Sequence, residues 1–465
     1  MSSTNAGVLR ALGIAGWQHL EPAILAALAT EAPLLLIGPH GSAKTLILSR
    51  IAEALRLAHR HYNASLLNFD DLIGFPVPEQ GKLVYLQTPA TIWEAESVLF
   101  DEVSRCRPEL QNKLFPIVDE TVVQGVRLDK LRHRWGAMNP PPRLDGDDAA
   151  AEYAGAEPLD VALADRFGFI VSVPALEDLA RADQLAILAG IAPSADIATQ
   201  LQATIAAIQR GIAGASPALR ESAAEYVQAA ATKLAAANHP ISTRRAVQLT
   251  RNIVAVAAAL LLLNAESPDG ASAEDAFYTA LRYSLPDAAW GNPVPQATLL
   301  TIHRVAWQLA RIDRRDEMKT ILLETDPVRR IARTLRSSLD AGEAGRVIVD
   351  AFSSLPRVVR IATAAVLAPI VAGRKGLPVA TVEPIASEFA QLAVRADETL
   401  IVRKGGADWR RNITSSSLPL LDRRTTRGKA LTNAALVLLQ EDERFEMPAL
   451  EAAYDHAVST LEGAR

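Results

Sequence analysis

LLLIGPHGSAKTLILSR, residues 34–50, is the stretch that decides the fold. Its first four residues are apolar and predict a short buried strand, and the apolar residues from Leu46 onward recur at helical spacing. A strand, a glycine-containing loop and Lys-Thr at the start of a helix predict a cradle for nucleotide phosphates, on which backbone N–H groups and the helix N-terminus converge. The lysine would reach the β and γ oxygens, and the threonine hydroxyl would ligate magnesium. The predicted cradle consists of Gly38, Pro39, His40, Gly41, Ser42, Ala43, Lys44 and Thr45.

One position departs from the general pattern G-x-x-x-x-G-K-[ST], because Ala43 stands where the pattern has glycine. The loop by itself is therefore also compatible with an alternative interpretation, a strand-to-helix turn whose lysine is solvated. A second signal favours the nucleotide interpretation, since SVLFDE, residues 97–102, is an apolar strand that ends in two carboxylates. Asp101 would hold magnesium through water, and Glu102 would polarise the attacking water. Two such strand ends in this order predict a magnesium-nucleotide site.

Length and composition bound the class of protein. At 465 residues the chain is too long for one core, so we expect two or three domains. Hydrophobic residues make up 49% and aromatic residues 5%, which favours a helical core of Ala, Leu, Val and Ile. The formal net charge of -5 argues against a strongly cationic nucleic-acid-binding protein but leaves a local basic groove open.

The sequence predicts a cytoplasmic protein without a membrane partner. Its single cysteine, Cys106, excludes an internal disulfide framework and any multi-cysteine metal site, and we expect it to be a small buried residue. The N-terminal residues lack a basic region followed by a long apolar core, so no secretion signal is predicted. The most apolar run, residues 253–263, is about half the roughly 20 residues that a bilayer requires.

Further elements follow from periodicity and turn residues. A helix is predicted over residues 17–28, and its Trp17 is interpreted as a core residue rather than an adenine contact. Residues 65–67 predict a second short strand, and residues 75–85 and 121–131 predict two hairpins. A strand over 134–138 ends in Asn139 and three prolines, which places this amide to touch a γ-phosphate or to orient water. A simple turn asparagine is the alternative.

Two arginine positions have more than one interpretation. LDVALADRF, residues 159–167, predicts a helix that leads to Arg166 and a last strand over 168–173. Arg166 would either pair locally with Asp165 or, at a subunit edge, reach a neighbour's nucleotide, where such arginines are worth about three to five orders of magnitude in rate. STRR, residues 242–245, opens a helix with an N-capping serine. A cation there would fold back onto the phosphates or remain a solvated first-turn residue.

Beyond Pro174 the pattern is helical to the end of the sequence, apart from a loop rich in Pro, Gly and Asn at residues 285–296. Arginines cluster within residues 329–336 and 423–427. We interpret these clusters as solvated helix faces and turns in preference to a nucleic-acid patch. No function is predicted for this C-terminal region.

Together these motifs resemble one family, the MoxR/RavA-type AAA+ ATPases of the helix-2-insert clade, over residues 10–286. GPHGSAKT resembles the family's phosphate loop, including the alanine before the lysine. NFDDLIG followed by GKLVYLQTPATIW is similar to its insert hairpin, and LFDEVSRC to its Walker B segment, with Ser104 where asparagine is usual. GAMNPPP resembles the sensor 1 strand, LDVALADRF the arginine-finger segment, and STRR with AEDAFYTAL the sensor 2 region.

The resemblance implies an α/β P-loop AAA+ αβα sandwich with a parallel central sheet, followed by an all-α lid and an all-α C-terminal domain. The implied boundaries are residues 1–175 for the nucleotide-binding core, 176–286 for the lid and 287–465 for a helical domain of unknown role. It also implies an ATPase that uses ATP and Mg2+. The implied roles are phosphate and magnesium binding for Lys44 and Thr45, metal assistance for Asp101, and water activation for Glu102.

For the remaining site residues the resemblance implies sensor 1 at Asn139, an arginine finger acting in trans at Arg166 and sensor 2 at Arg244, with Arg245 left open for that last role. It further implies a homo-oligomer, commonly a hexameric ring, that remodels or activates a protein client with a separate von Willebrand A domain partner. Two alternatives stay open: a nucleic-acid-directed motor or defence ATPase, and a nucleotide-gated assembly scaffold that barely hydrolyses. The intact Asp101 and Glu102 pair argues against the scaffold.

Overall fold

The computed structural model describes residues 7–142, 157–264, 273–312, 316–374, 376–393, 409, 413–441 and 443–464. The chain divides into two compact units, Met1–Arg311 and Ile312–Arg465. The first unit has nine strands among its described residues: β1 (Leu34–Ile37), β2 (His59–Asn63), β3 (Phe75–Glu79), β4 (Lys82–Leu86), β5 (Ser97–Asp101), β6 (Val122–Val123), β7 (Val126–Arg127), β8 (His133–Met138) and β9 (Phe169–Ser172).

The helices of the first unit surround these strands. They are α1 (Val8–Ala11), α2 (Glu21–Thr30), α3 (Lys44–Leu55), α4 (Phe69–Ile73), α5 (Pro108–Glu120), α6 (Val161–Ala164), α7 (Arg181–Ala189), α8 (Ile197–Ala213), α9 (Pro217–Ala236), α10 (Thr243–Leu263), α11 (Ala273–Arg282) and α12 (Gln296–Arg311).

A five-stranded sheet in the order β2-β5-β8-β1-β9 forms the centre of this unit, and every neighbouring pair is parallel. All four residues of β1 are buried, as expected where helices cover both faces of a parallel sheet. Because the strands are parallel, their carboxyl ends share one edge, where ligands bind in open α/β sheets. The predicted αβα sandwich with a parallel central sheet is confirmed.

The prediction of a strand over residues 65–67 was wrong, since the second strand is β2. Arg56 ends α3 in the left-handed region, with φ of 56°, and the chain then pairs in parallel with β5. Residues 65 and 66 lie in a turn instead. In β2 only Tyr62 is buried, because β2 is an edge strand with a single neighbour. Its polar sequence, HRHYN, therefore lacks the apolar run that marks β1 and β5.

Both predicted hairpins are present. β3 and β4 pair in antiparallel fashion, as do β6 and β7. The Tyr85 hydroxyl donates to Gln124 Oε1 at 3.2 Å, which joins the two hairpins. The structure therefore places two neighbouring hairpins on the same αβα domain.

The helices after β9 pack around α10, which contacts α2, α8, α9 and α11. Within the described residues, α10 is the one helix with the length and apolar composition of a membrane span, and 44% of that span is buried inside the structure. The following helix, α12, packs on α9 and α11. The compact first unit therefore extends to Arg311, whereas the resemblance places the end of the lid at residue 286.

The second unit is helical throughout its described residues. Its α-helices are α13 (Glu317–Leu323), α14 (Pro327–Arg336), α15 (Ala341–Ser353), α16 (Arg357–Gly373), α17 (Val379–Ala393), α18 (Thr426–Gln440) and α19 (Met447–Leu461). Buried residues from α14 to α19 form one hydrophobic core. This observation confirms an all-α C-terminal region.

The arginine cluster of α14 is engaged by neighbouring groups of the same unit. Glu324 accepts a hydrogen bond from one of these arginines through its backbone carbonyl and pairs with another through its carboxylate. A third pairs with Asp326, and the fourth donates to the carbonyl of Gly463 at 3.0 Å. The four are Arg330, Arg333, Arg329 and Arg336, in that order. Local contacts of this kind fit the solvated-face interpretation better than a nucleic-acid patch.

Candidate nucleotide site

The phosphate loop joins β1 to α3, and its conformation explains the departure at Ala43. Ala43 precedes α3 with φ of 67°, and Gly41 has φ of 73°, so both lie in the left-handed region. Glycine adopts this region freely, whereas a residue with a Cβ atom pays about 1–2 kcal/mol there. The general pattern therefore has glycine at this position because the backbone there is left-handed. In this chain an alanine adopts the same conformation under strain.

The Lys44 ammonium lies inside this loop. Its Nζ atom donates hydrogen bonds to the carbonyls of Gly38 at 2.8 Å and Pro39 at 2.7 Å, and the residue is only 8% exposed. Burial lowers the pKa of Lys44 to about 8, although the charges of Asp101 and Glu102 act in the opposite direction. A buried cation held mainly by neutral carbonyls is a strong site for an anion, because phosphate oxygens would compensate its desolvation better.

Asp101 lies opposite the loop, at the carboxyl end of β5. The Thr45 hydroxyl donates to Asp101 Oδ2 at 2.7 Å, and the backbone N–H of Glu102 donates to Oδ1 at 2.9 Å. His61 Nε2 lies 3.3 Å from Oδ2. Burial by itself raises the pKa of Asp101, but the hydrogen bonds from His61, Thr45 and Glu102 outweigh it and lower the pKa. Asp101 is therefore held as a carboxylate.

The hydroxyl and the carboxylate suit the chemistry of Mg2+, which takes oxygen ligands at about 2.1 Å in octahedral geometry and keeps several waters. The 2.7 Å between Thr45 Oγ1 and Asp101 Oδ2 is close to the separation of adjacent ligands in such an octahedron, about 3 Å. Thr45 and Asp101 would therefore hold the metal, directly or through water. Magnesium bound there would neutralise phosphate charge.

Glu102 follows Asp101 in a strained conformation. Its φ is 54°, a left-handed value that is uncommon outside glycine and often found at functional sites. Glu102 Oε2 lies 3.7 Å from Arg105 Nη1, and the side chain is 31% exposed. The strained turn at the end of β5 thus leaves the carboxylate accessible to water beside Asp101.

Asn139 lies at the carboxyl end of β8, next to the lysine. Its Oδ1 atom accepts from Lys44 Nζ at 3.4 Å, and its Nδ2 atom lies 3.3 Å from His40 Nε2. The residue is buried. The structure therefore brings Lys44, Thr45, Asp101 and Asn139 together at one edge of the sheet, as the sequence predicts.

A cavity of ≈ 290 Å³ opens directly beside the phosphate loop. Trp17 is buried, as predicted, and also lines this cavity. The walls come from the N-terminal segment, from the loop and α3, and from the region around α7, and they are mostly apolar: Gly13, Ile14, Ala15, Trp17, Gly41, Ser42, Ala43, Leu46, Arg50, Pro174, Leu176, Leu179, Ile187, Gly190 and Ile191. An apolar cavity next to a phosphate cradle can accept a flat base.

Arg166 and Arg244 lie elsewhere, and both contact Asp119. Arg166 Nε lies 3.9 Å and Arg244 Nη2 lies 3.3 Å from Asp119 Oδ2. The Arg166 guanidinium also lies over the Phe115 ring, 4.5 Å from its centroid. The alternative in which Arg166 pairs with Asp165 was wrong, because Asp165 binds another arginine.

That arginine is Arg245, which is 0% exposed. Its Nε atom pairs with Asp165 Oδ1 at 3.3 Å, and its amines donate to the carbonyls of Ala164, Phe167 and Gly168. The Ser242 hydroxyl donates to the same carboxylate at 2.7 Å. Arg245 therefore links the start of α10 to the segment between α6 and β9. Arg244 is more exposed and contacts Asp119 instead.

The arginine pair lies at the amino edge of the sheet. Arg134, near the start of β8, donates from Nε to the carbonyl of Val118, beside Asp119. Asn139 follows the other end of β8. At about 3.3 Å per residue, the strand separates the two regions by about 17 Å. Arg166 and Arg244 therefore lie across the sheet from the phosphate loop of their own chain, and Arg244 does not fold back onto it.

Sequence reasoning missed His61 and Asp119. His61 contacts Asp101, but it lies on β2, whose polar sequence did not indicate a strand. Asp119 lies in the helical stretch ELQNKLFPIVDE, where an acid near a helix C-terminus is ordinarily a solvated residue. Neither position carries a local signal, because each contact joins elements distant in sequence.

One family model matches the part of the chain that contains this site. Residues 33–151 match the model of the AAA domain (dynein-related subfamily). No curated protein matches the chain. Among solved structures, one similar chain is described as a "putative ATPase" from Cytophaga hutchinsonii, at 22% identity over 64% of this chain and 92% of that chain, with a TM-score of 0.43. Another is a full-length MCM homolog from Methanopyrus kandleri, at 15% identity over 62% of this chain and 59% of that chain, with a TM-score of 0.42.

The AAA match covers the phosphate loop, both carboxylates and Asn139. Together with the parallel sheet, the match shows an AAA+ αβα domain in the part of the chain that contains this site.

Proposed function

We propose that this protein is an ATP-hydrolysing, MoxR-like AAA+ ATPase that assembles into a ring, commonly a hexamer, and remodels or activates a protein client. The convergence of Lys44, Thr45, Asp101 and Asn139 at one edge of the sheet carries the proposal. Lys44 and Thr45 bind the phosphates, Thr45 and Asp101 hold magnesium, and Asn139 senses the γ-phosphate or orients water. The base occupies the cavity lined by Trp17.

Glu102 is the proposed general base. Glu102 directly follows the proposed metal-binding carboxylate, and its side chain reaches solvent. Among the described residues, Thr45 and Lys44 donate their hydrogen bonds to other groups. Polarising the attacking water requires such a carboxylate next to the γ-phosphate.

The position of the arginines supports a site shared between protomers. Arg166 and Arg244 lie by the amino end of β8, and about 17 Å of this strand separates that end from the edge that carries their own phosphate loop. In a ring, that edge of one protomer would face the nucleotide of the next, where Arg166 acts as the finger and Arg244 as sensor 2. Arg245 is fully buried in its own protomer and is assigned a structural role.

The two hairpins are the proposed grip on the client. Three of their apolar side chains are more than half exposed: Phe75, Leu86 and Val126. Hydrolysis would change contacts at the protomer boundaries and move these hairpins with them. By the resemblance, a separate protein with a von Willebrand A domain is the proposed partner.

Replacing Glu102 by Gln tests the activity. The variant should bind ATP with unchanged affinity and lose magnesium-dependent phosphate release, because an amide cannot polarise the water. The control is Glu109→Gln, an exposed glutamate at the start of α5, which should hydrolyse ATP at the wild-type rate. Turnover unchanged in Glu102→Gln would overturn the proposed ATPase.

The same Glu102→Gln variant, held in its ATP state, tests the partners. Affinity purification should retain a von Willebrand A domain protein and a protein client, and light scattering with ATP should report the mass of a ring. Retention of nucleic acid in place of protein, with binding that weakens steeply as salt rises, would favour the nucleic-acid-directed alternative instead.

A further inference from the structure

Among the residues that the structure describes, Asp119 is the one that contacts both arginines of the proposed trans site. The three side chains come from separate elements: Asp119 from the last turn of α5, Arg166 from the turn after α6, and Arg244 from the first turn of α10. Both guanidinium groups converge on the same atom, Oδ2, at 3.9 and 3.3 Å. A single carboxylate thus couples two cations that lie 78 residues apart in sequence, from 166 to 244.

The same face of α5 supplies a second contact to Arg166. Phe115 precedes Asp119 by one helical turn, so both side chains lie on one side of α5. The Phe115 ring lies under the guanidinium, and the carbonyl of Ala162 accepts from Nη1 at 2.6 Å. The Ala162 contact is a hydrogen bond from Nη1, whereas Nε lies 3.9 Å from Asp119 and is, among the described residues, a buried atom without a hydrogen-bond partner, so Asp119 acts on Arg166 through charge. Within the described part of the chain, Nη2 makes no hydrogen bond, which leaves this amine for a ligand.

The surroundings are strongly cationic. Arg134, Arg220 and Arg251 line the same ≈ 340 Å³ cavity as Arg166, while Glu31 and Asp119 are the acids that line it. Without a carboxylate between them, Arg166 and Arg244 would repel each other and their long side chains would adopt other rotamers. An arginine placed by a carboxylate on one edge keeps the opposite edge for a phosphate, as required of a preorganised group.

We propose that Asp119 is a positioning residue that holds Arg166 and Arg244 in the geometry required to meet the triphosphate of the neighbouring protomer. The inference rests on the proposed function, since it presupposes that these arginines act in trans. Asp119 itself touches no substrate. Two guanidinium groups and one carboxylate leave a net charge of +1 at the cluster, so the neighbour's phosphates are still attracted.

The primary test is Asp119→Asn, which keeps the shape of the side chain and removes its charge. We expect kcat for ATP to fall about 100-fold, the scale of loss for a misplaced group. The affinity of the unassembled protomer for ATP should stay unchanged, because its own nucleotide site lies across the sheet. Asp119→Glu, which restores the charge, should recover part of the rate.

Mixed assemblies give a readout that general structural damage would not produce. Asp119→Asn protomers keep an intact phosphate loop, whereas Lys44→Ala protomers lack it but keep both arginines and Asp119. Each variant alone should be inactive or nearly so, and an equimolar mixture should regain ATPase activity at the boundaries where the two kinds complement each other. The reference mixture is Arg166→Ala with Lys44→Ala.

The outcomes separate the two proposals. If the reference mixture regains no activity, the trans site of the proposed function fails. If it regains activity while Asp119→Asn alone turns over at the wild-type rate or faster, the positioning role is overturned, and a faster rate would mean that Asp119 restrains the arginines. An inactive Asp119→Asn variant that Lys44→Ala does not complement also overturns the inference, because its defect would then lie within its own protomer.

Discussion

The hydroxyl of Thr45 donates a 2.7 Å hydrogen bond to Asp101 and so joins the start of α3 to the tip of β5. The two oxygens lie close to the spacing of adjacent magnesium ligands. Asn139 lies at the same edge of the sheet and accepts a hydrogen bond from Lys44. The contact of Thr45 with Asp101 brings the phosphate loop and the carboxylates into one site, and the first two predictions concern it.

Replacing Thr45 by Val removes the hydroxyl while keeping the branched shape. We expect ATP affinity in the presence of Mg2+ to fall about 10- to 100-fold, because one oxygen of the metal site is lost. Calorimetric titration with Mg2+ and with EDTA measures the effect. Wild-type binding should weaken on EDTA addition, whereas binding by Thr45→Val should respond little.

Thr45→Ser is the matched control, since it retains the hydroxyl and should retain the dependence on magnesium. If Thr45→Val binds ATP as tightly as the wild type and responds equally to EDTA, Thr45 is not a metal ligand.

The pKa of Lys44 predicts how ATP affinity changes with pH. Without nucleotide, burial lowers this pKa to about 8, and bound phosphates would raise it again. Binding above pH 8 therefore requires uptake of a proton, so affinity is highest below pH 8 and falls by up to about tenfold per pH unit above it. Measuring Kd at pH 7, 8 and 9 tests this, together with proton uptake in buffers of different ionisation enthalpy.

Lys44→Arg provides the comparison, because arginine stays charged throughout this range. Its affinity should be weaker, and flat between pH 7 and 9. A wild-type affinity that is equally flat would contradict the lowered pKa.

Ala43→Gly should stabilise the protein. Ala43 occupies a left-handed conformation that costs an alanine about 1–2 kcal/mol, and part of this gain is offset by the greater freedom of glycine in the unfolded chain. We expect the free energy of unfolding to rise by about 0.5–1 kcal/mol in denaturant titrations. Ala52→Gly, at a buried position in the last turn of α3, should lower it by about 1 kcal/mol or more, because glycine is a poorer helix former and leaves a small cavity. Destabilisation by Ala43→Gly would show that the alanine side chain contributes packing instead.

Arg245→Ala and Arg244→Ala should differ sharply although the two residues are adjacent. Removing the fully buried Arg245 takes away the charge partner of Asp165 and one donor from each of three carbonyls, so the free energy of unfolding should fall by about 3–5 kcal/mol. The Arg244 side chain is 43% exposed, and its removal should cost about 0–1 kcal/mol.

Turnover completes this comparison. Arg244→Ala should lower ATPase activity while the protein stays folded, as expected of a residue that contacts the neighbour's phosphates. If Arg244→Ala hydrolyses ATP normally and Arg245→Ala unfolds at the wild-type denaturant concentration, the two roles are assigned wrongly.

Much of the site could be predicted because its signals are local. The strand, loop and helix of residues 34–50 are continuous in sequence, and each carboxylate or amide stands directly after an apolar strand. Parallel pairing then brings Asp101 and Asn139 to the same edge as Lys44, since all three follow carboxyl ends of neighbouring strands. The second strand was predicted at the wrong residues because β2 is an edge strand, and its polar residues lack the apolar run of a buried strand.

The sequence by itself determined the phosphate loop, the carboxylate pair and the order of elements, because short-range periodicity and turn residues encode them. Only the tertiary structure decided which arginine is buried, that Arg166 pairs with Asp119 rather than Asp165, and that α12 belongs to the first unit. These are choices of partner between elements far apart in the chain. They depend on packing geometry, which sets the distance between charges, and no local pattern records that distance.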